Sequence, residues 1–190
     1  MRENIGTRAR IQEVALELFT EQGYEATSLR EIAECLGVTK AALYYHFKTK
    51  EDIVASMVQD RIAAIQELIE WGQGRPRTIQ TRRELLERYA DELHAGRHHE
   101  IMRFFERNQT ALRGHPKGEE MRDRMLDLLD LLKDPDAPLT AQLKSSLAIF
   151  ALHATWFIFR DPDVTDEERK RAALEVALEL VGAPAVLPRS

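Results

Sequence analysis

Residues 28–50 read SLREIAECLGVTKAALYYHFKTK, and the order of caps, apolar positions and one glycine in this run decides the fold. Ser28 followed three residues later by Glu31 forms a capping box, in which the serine hydroxyl accepts a free backbone N–H and the carboxylate reaches back to the serine N–H. Leu29, Ile32, Ala33 and Leu36 then recur at i, i+3, i+4 and i+7, one face of a helix of about two turns. Gly37 stands where a left-handed residue ends that helix. Thr39 caps a further short helix running through Phe47. At about 100° per residue, Lys40, Ala41, Tyr44, Tyr45 and Lys48 share one arc, while Leu43 with its neighbours Ala42 and Phe47 turns to the other side. One side can pack and the other can meet a ligand. Two short helices joined by a glycine-containing turn match the arrangement whose second helix enters the major groove of DNA.

Outward from this run the periodicity stays helical, and nothing alternates as a strand would. Ile11, Val14, Ala15, Leu18 and Phe19 line one face of a first helix that Gly23 closes. Thr49 with Asp52 caps a long fourth helix whose apolar positions include Ile53, Met57, Ile62, Ile65, Leu68 and Ile69. It runs to Trp71, and the breaker-rich GQGRPRT predicts a loop at about 72–81. Further helices are expected at about 82–96, 99–113, 117–133, 139–160 and 166–181. Gly96, Gly114-His115-Pro116, Asp134 to Pro138 and Asp161-Pro162 punctuate them, and Thr165 with Glu168 forms another N-terminal box. The expectation is an all-α protein: a helix-turn-helix domain over 1–50 and a larger helical domain over 51–190, with a helix from about 50 to 71 connecting the two.

Composition narrows the chemistry. The chain of 190 residues carries a net charge of −5, so contact with nucleic acid has to come from a local patch. Residues 39–50 supply one, with Lys40, Lys48 and Lys50 and no carboxylate. Lysines can neutralise phosphates, and tyrosines offer a hydroxyl and a ring to sugars and thymine methyls. Taken without its flanks, the Tyr-Tyr pair reads equally well as filling for a core or an interface. Leu147 to Phe159 is too short for a bilayer span, Cys35 is the single cysteine, and no charged-then-apolar leader opens the chain, so the expected compartment is the cytoplasm. GxSxG, P-loop, CxxC and HExxH patterns are all lacking. No enzyme, no cofactor and no metal is therefore expected.

The run from Thr7 to Val58, above all LFTEQGYEATSLREIA and LGVTKAALYYHFKTKEDI, resembles the N-terminal domain of the TetR family of bacterial regulators. That resemblance implies a three-helix DNA-binding domain joined by a fourth helix to a divergent helical domain that binds an effector and dimerises. The usual role is repression from an operator, relieved by a small molecule. Thr27, Ser28 and Arg30 fall where family members contact the DNA backbone. Thr39, Lys40, Ala41, Tyr44, Tyr45 and His46 occupy recognition-helix positions, and Lys50 stands where the family places a phosphate-binding lysine. With Ala41 and Ala42 in that helix, base discrimination would rest on Lys40, Tyr44 and DNA shape.

The resemblance also places an effector pocket among the later helices, for which Tyr89, Phe105, Asn108 and His153 are the candidates. These and the other late aromatics, Phe104, Phe150, Trp156, Phe157 and Phe159, read first as core. The expected partners are a double-stranded DNA operator, an unidentified small-molecule effector and a second copy of the chain, paired through the last two helices, with no membrane partner. Adjacent His98 and His99 point in different directions on a helix and make a poor metal site. Cys35 reads as an inert thiol. The competing reading is a helical binder of lipids or hydrophobic small molecules that does not bind DNA.

Overall fold

The computed structural model describes residues 2–95, 101, 104, 116–159 and 163–182. All the regular structure among them is helical: α1 (Arg2–Glu21), α2 (Leu29–Leu36), α3 (Lys40–His46), α4 (Lys50–Gln73), α5 (Ile79–Ala95), α6 (Pro116–Leu132), α7 (Leu139–Ile158) and α8 (Asp166–Gly182). The expected helix at 99–113 lies outside the described residues, apart from Ile101 and Phe104. So do Gly96, Gly114, His115, Asp161 and Pro162. The chain divides into two compact units. The first holds residues 2–61 with Ile101, Phe104 and residues 116–121; the second holds 62–95, 122–159 and 163–182.

The first unit closes around a core supplied by every one of its short helices. Ile11, Ala15, Leu16 and Phe19 come from α1, Leu29, Ile32 and Ala33 from α2, Leu43 from α3, and Ile53, Val54 and Met57 from α4. Burying a large aliphatic or aromatic side chain is worth about 1.5–3 kcal/mol, which is what holds helices too short to persist alone. The capping box at Ser28 is complete: Glu31 N–H donates to Ser28 Oγ at 3.2 Å, and Ser28 N–H to Glu31 Oε2 at 2.7 Å. Those bonds, the serine hydroxyl foremost, hold the Glu31 carboxyl below its ordinary pKa. Gly37 adopts φ 67°, and its N–H returns to Ala33 and Glu34 carbonyls; any other residue would be strained there.

The second unit packs α7 along α8, and α5 against α8. Ser145, Ala148, Ile149, Leu152 and Thr155 form the buried face of α7, and Arg169, Ala173, Ala177 and Val181 that of α8. The loop after α4 is shorter than expected. Thr78 Oγ1 accepts from Thr81 N–H at 3.1 Å, so α5 starts at Ile79, and the helix cap at Thr78 prevails over the preceding breakers. Thr165 and Glu168 form the expected box before α8, with bonds of 3.3 and 2.9 Å. Two late aromatics depart from the core expectation: Phe150 and Phe159 are exposed. Among the described residues no helix is long and apolar enough to cross a membrane.

Candidate nucleic-acid interface

Helix α3 is short, and of its residues only Leu43 is fully buried, followed by Phe47 at its C-cap. Thr39 caps its start, Oγ1 accepting from Ala42 N–H at 3.2 Å. The expected two-sided arrangement exists, but the packing arc is narrower than the sequence suggested. Ala42 is exposed, not packed, because the i, i+4 pair of Leu43 and Phe47 suffices to seat so short a helix and Ala42 lies about 100° away from Leu43. The solvent side therefore centres on Ala41, Ala42 and Tyr45, with Lys40 and Lys48 at its margins. Tyr45 is 74% exposed. Tyr44 is half-buried against the core, with the Lys40 ammonium 5.4 Å from its ring centroid. His46 is half-buried and meets the Tyr45 ring edge-on at 5.4 Å.

At the start of α2, Ser28 and Arg30 are exposed, and Arg30 pairs with Glu34 at 2.7 Å. Thr27 is different. It is 1% exposed, and its hydroxyl is taken up by the carbonyls of Gly23 at 2.9 Å and Leu18 at 3.3 Å. The contact expected of Thr27 is corrected accordingly: its side chain holds the α1–α2 turn and presents no surface to a phosphate. Lys50 opens α4, and its charge acts on the Glu31 carboxylate of the capping box. Its Nζ donates to the backbone carbonyls of Tyr24 and Glu25, in the turn that leads into α2.

Four side chains that no motif in the sequence marks, Arg8, Gln12, Ser56 and Asp60, brace this surface from behind. Gln12 Nε2 donates to Asp60 Oδ2 at 2.6 Å and to Ser56 Oγ at 2.9 Å. Arg8 pairs with Asp60 at 3.1 Å, its guanidinium 5.8 Å from the Phe47 ring centroid. The exposed ion pair is worth little by itself, but together these contacts fix α1 on α4 beside the C-cap of α3. Their partners lie 44 to 52 residues apart in the chain, so no local spacing could announce them.

Of the four effector candidates, Phe105 and Asn108 lie outside the described residues, as do His98 and His99. The other two come together: Tyr89 is buried, and its hydroxyl lies 2.8 Å from His153 Nε2 and 3.8 Å from the Met125 sulfur. This is a polar contact between α5 and α7. Cys35 is exposed and free.

Comparison with known proteins bears on the same segment. Residues 11–57 match the family model described as bacterial regulatory proteins, tetR family. The transcriptional regulator AcrR of Shigella flexneri is 51% identical over 51 residues, which cover 27% of this chain and 24% of that protein. The repressor KstR2 of Rhodococcus jostii is 37% identical over 54 residues, 28% of this chain and 26% of that protein. The matched stretch thus spans about a quarter of the length of either curated relative. Over most of the chain the likeness is one of structure. AmtR of Mycobacterium smegmatis superposes with a TM-score of 0.71 at 27% identity, covering 92% of this chain and 86% of that one. KstR2 of Mycobacterium tuberculosis, at 18% identity, shares the fold with a TM-score of 0.65. Caps, glycine turn, exposed third helix and family match all fall on the same fifty or so residues, and over residues 11–57 the chain carries the N-terminal domain of the tetR family of bacterial regulatory proteins.

Proposed function

We propose that the chain is a DNA-binding transcriptional regulator that works as a homodimer and represses from an inverted-repeat operator until a small molecule releases it. The observation that carries this reading is the outward face of α3, where Tyr45 stands 74% exposed above a helix pinned by Leu43 and Phe47. Its ring and hydroxyl are of the kind that meet sugars, base edges and thymine methyls. In this reading Lys40, Ala41, Tyr44, Tyr45 and His46 face the major groove. Ser28, Arg30, Thr39 and Lys50 take the flanking phosphates, which set register without reading sequence.

Dimerisation is proposed through α7 and α8. Leu139, Leu143, Leu147, Phe150 and Ile158 are exposed, and their spacing gathers them into one stripe about 100° wide, opposite the buried face of the same helix. A helix apolar on two opposite sides calls for a second covering, and a second copy offers it by twofold self-complementarity. Two recognition helices would then meet successive major grooves about 34 Å apart. The effector is assigned to the helical layer around Tyr89 and His153, and it regulates only by binding one arrangement of the dimer better than the other.

Selection from a random duplex library tests this. Sequencing is expected to recover an inverted repeat, and compounds from a panel of small hydrophobic molecules should release the chosen duplex, less effectively from Tyr89→Phe. A chain that binds such compounds but enriches no sequence would instead be a helical small-molecule binder.

A further inference from the structure

Consecutive residues of α4 grip the two ends of a single tyrosine. Lys50 Nζ donates to the backbone carbonyl of Tyr24 and, at 3.4 Å, to that of Glu25, and it lies 4.5 Å from the Tyr24 ring centroid. Glu51, the next residue, accepts from Tyr24 Oη at 2.9 Å. The ring between them is fixed: Tyr24 is 6% exposed and stands edge-on to Phe19 at 5.0 Å and to Phe104 at 5.6 Å. Phenylalanine would fill the same space, so the hydroxyl serves something besides packing, and it needs an acceptor where it sits. Burial and the Glu51 bond together raise the phenol's pKa, which keeps its proton available for donation at any physiological pH.

A carboxylate next to a phosphate-binding lysine would ordinarily oppose the incoming anion. Here Glu51 has its charge engaged, by its own backbone N–H first and then by the Tyr24 and Thr49 hydroxyls, which hold its pKa down. An ammonium carries three N–H groups. Two of Lys50's face the Tyr24 and Glu25 carbonyls, which leaves a third for a phosphate oxygen in the DNA-binding reading.

We infer that Tyr24 and Glu51 are positioning residues for the phosphate contact of Lys50: Tyr24 aims the ammonium with its carbonyl and ring, and Glu51 holds Tyr24 by its hydroxyl. The inference rests on the DNA-binding reading above. It assigns to Tyr24, a buried side chain of the turn between α1 and α2, a part in DNA affinity that its lack of surface would not suggest.

The test is a set of anisotropy titrations on a labelled mixed-sequence duplex of about 30 base pairs at low salt, where phosphate contacts dominate binding. Tyr24→Phe is expected to weaken binding about fivefold, the worth of one net hydrogen bond. Glu51→Ala should bind about fivefold more weakly than Glu51→Gln, which removes the same charge but keeps an oxygen to accept from Tyr24. Glu51 is exposed, so this pair leaves the core intact and decides the question even if Tyr24→Phe misfolds. In a Lys50→Ala background, whose salt slope is expected to fall by about 0.9, neither Tyr24→Phe nor the Ala-for-Gln difference at 51 should cost anything more. Losses that persist undiminished without Lys50 would mean the two residues support the fold alone, and the inference would be wrong. A wild-type chain that fails to bind the duplex at all overturns the DNA-binding reading and this inference together.

Discussion

Leu43→Ala is expected to destabilise the N-terminal helical unit by about 2–5 kcal/mol and to abolish measurable DNA binding with it. Leu43 has no exposed surface and is the one fully buried residue of α3, so truncation leaves a cavity under the helix that carries the proposed contacts. A helix of seven residues has no stability of its own to fall back on, since isolated helices shorter than about 12 residues barely form in water. Chemical denaturation followed by circular dichroism measures the first effect. Leu43→Met, which nearly conserves volume, should cost under about 1.5 kcal/mol and keep binding. An alanine variant as stable and as active as the wild type would mean that α3 is held by something other than its Leu43 anchor.

The second large effect concerns the apolar stripe of α7. Leu147→Asp combined with Phe150→Asp should turn the proposed dimer into a monomer and weaken binding to a two-half-site duplex by about 10²-fold or more, because the second half-site is then no longer bound intramolecularly. Both side chains are exposed, at 43% and 59%, so the change leaves the core of the second unit in place, and an unaltered helical spectrum verifies that. Sedimentation of wild type and variant at micromolar concentration measures the association. If both sediment alike, whether as monomers or as dimers, the α7 stripe is not the dimer seam.

What could be read from the sequence was whatever a residue decides with its near neighbours. The Ser28 box, the Gly37 stop, the Thr39 cap and the Thr165 box all work within four residues, and each stands as expected. The faces of α3 were legible only in part. Leu43 and Phe47 identify its seat, but how wide an arc that seat covers depends on helices that meet it from elsewhere, and Ala42 fell on the wrong side. Thr27 failed for a related reason: its hydroxyl finds carbonyls in the turn before it, and burial cannot be read from residue type. The braces Arg8–Asp60, Gln12–Asp60 and Tyr24–Glu51 join residues 27 to 52 apart, and Phe104 enters the first core from far along the chain. Buried tyrosine hydroxyls need partners, which is the one hint that Tyr24 carried. The sequence also marked the segment of α7 as too apolar for solvent, while the division into a core face and an open face required the packing of α8.

On the proposed reading the open side of α3 meets the bases. Replacing Tyr45 with a photoreactive benzoylphenylalanine and irradiating the complex with a selected duplex tests it at the residue concerned. Crosslinks to major-groove bases within each half-site are the expected result. A complex that forms with full affinity yet crosslinks nowhere from position 45, while the same probe placed on another helix reacts, would contradict it.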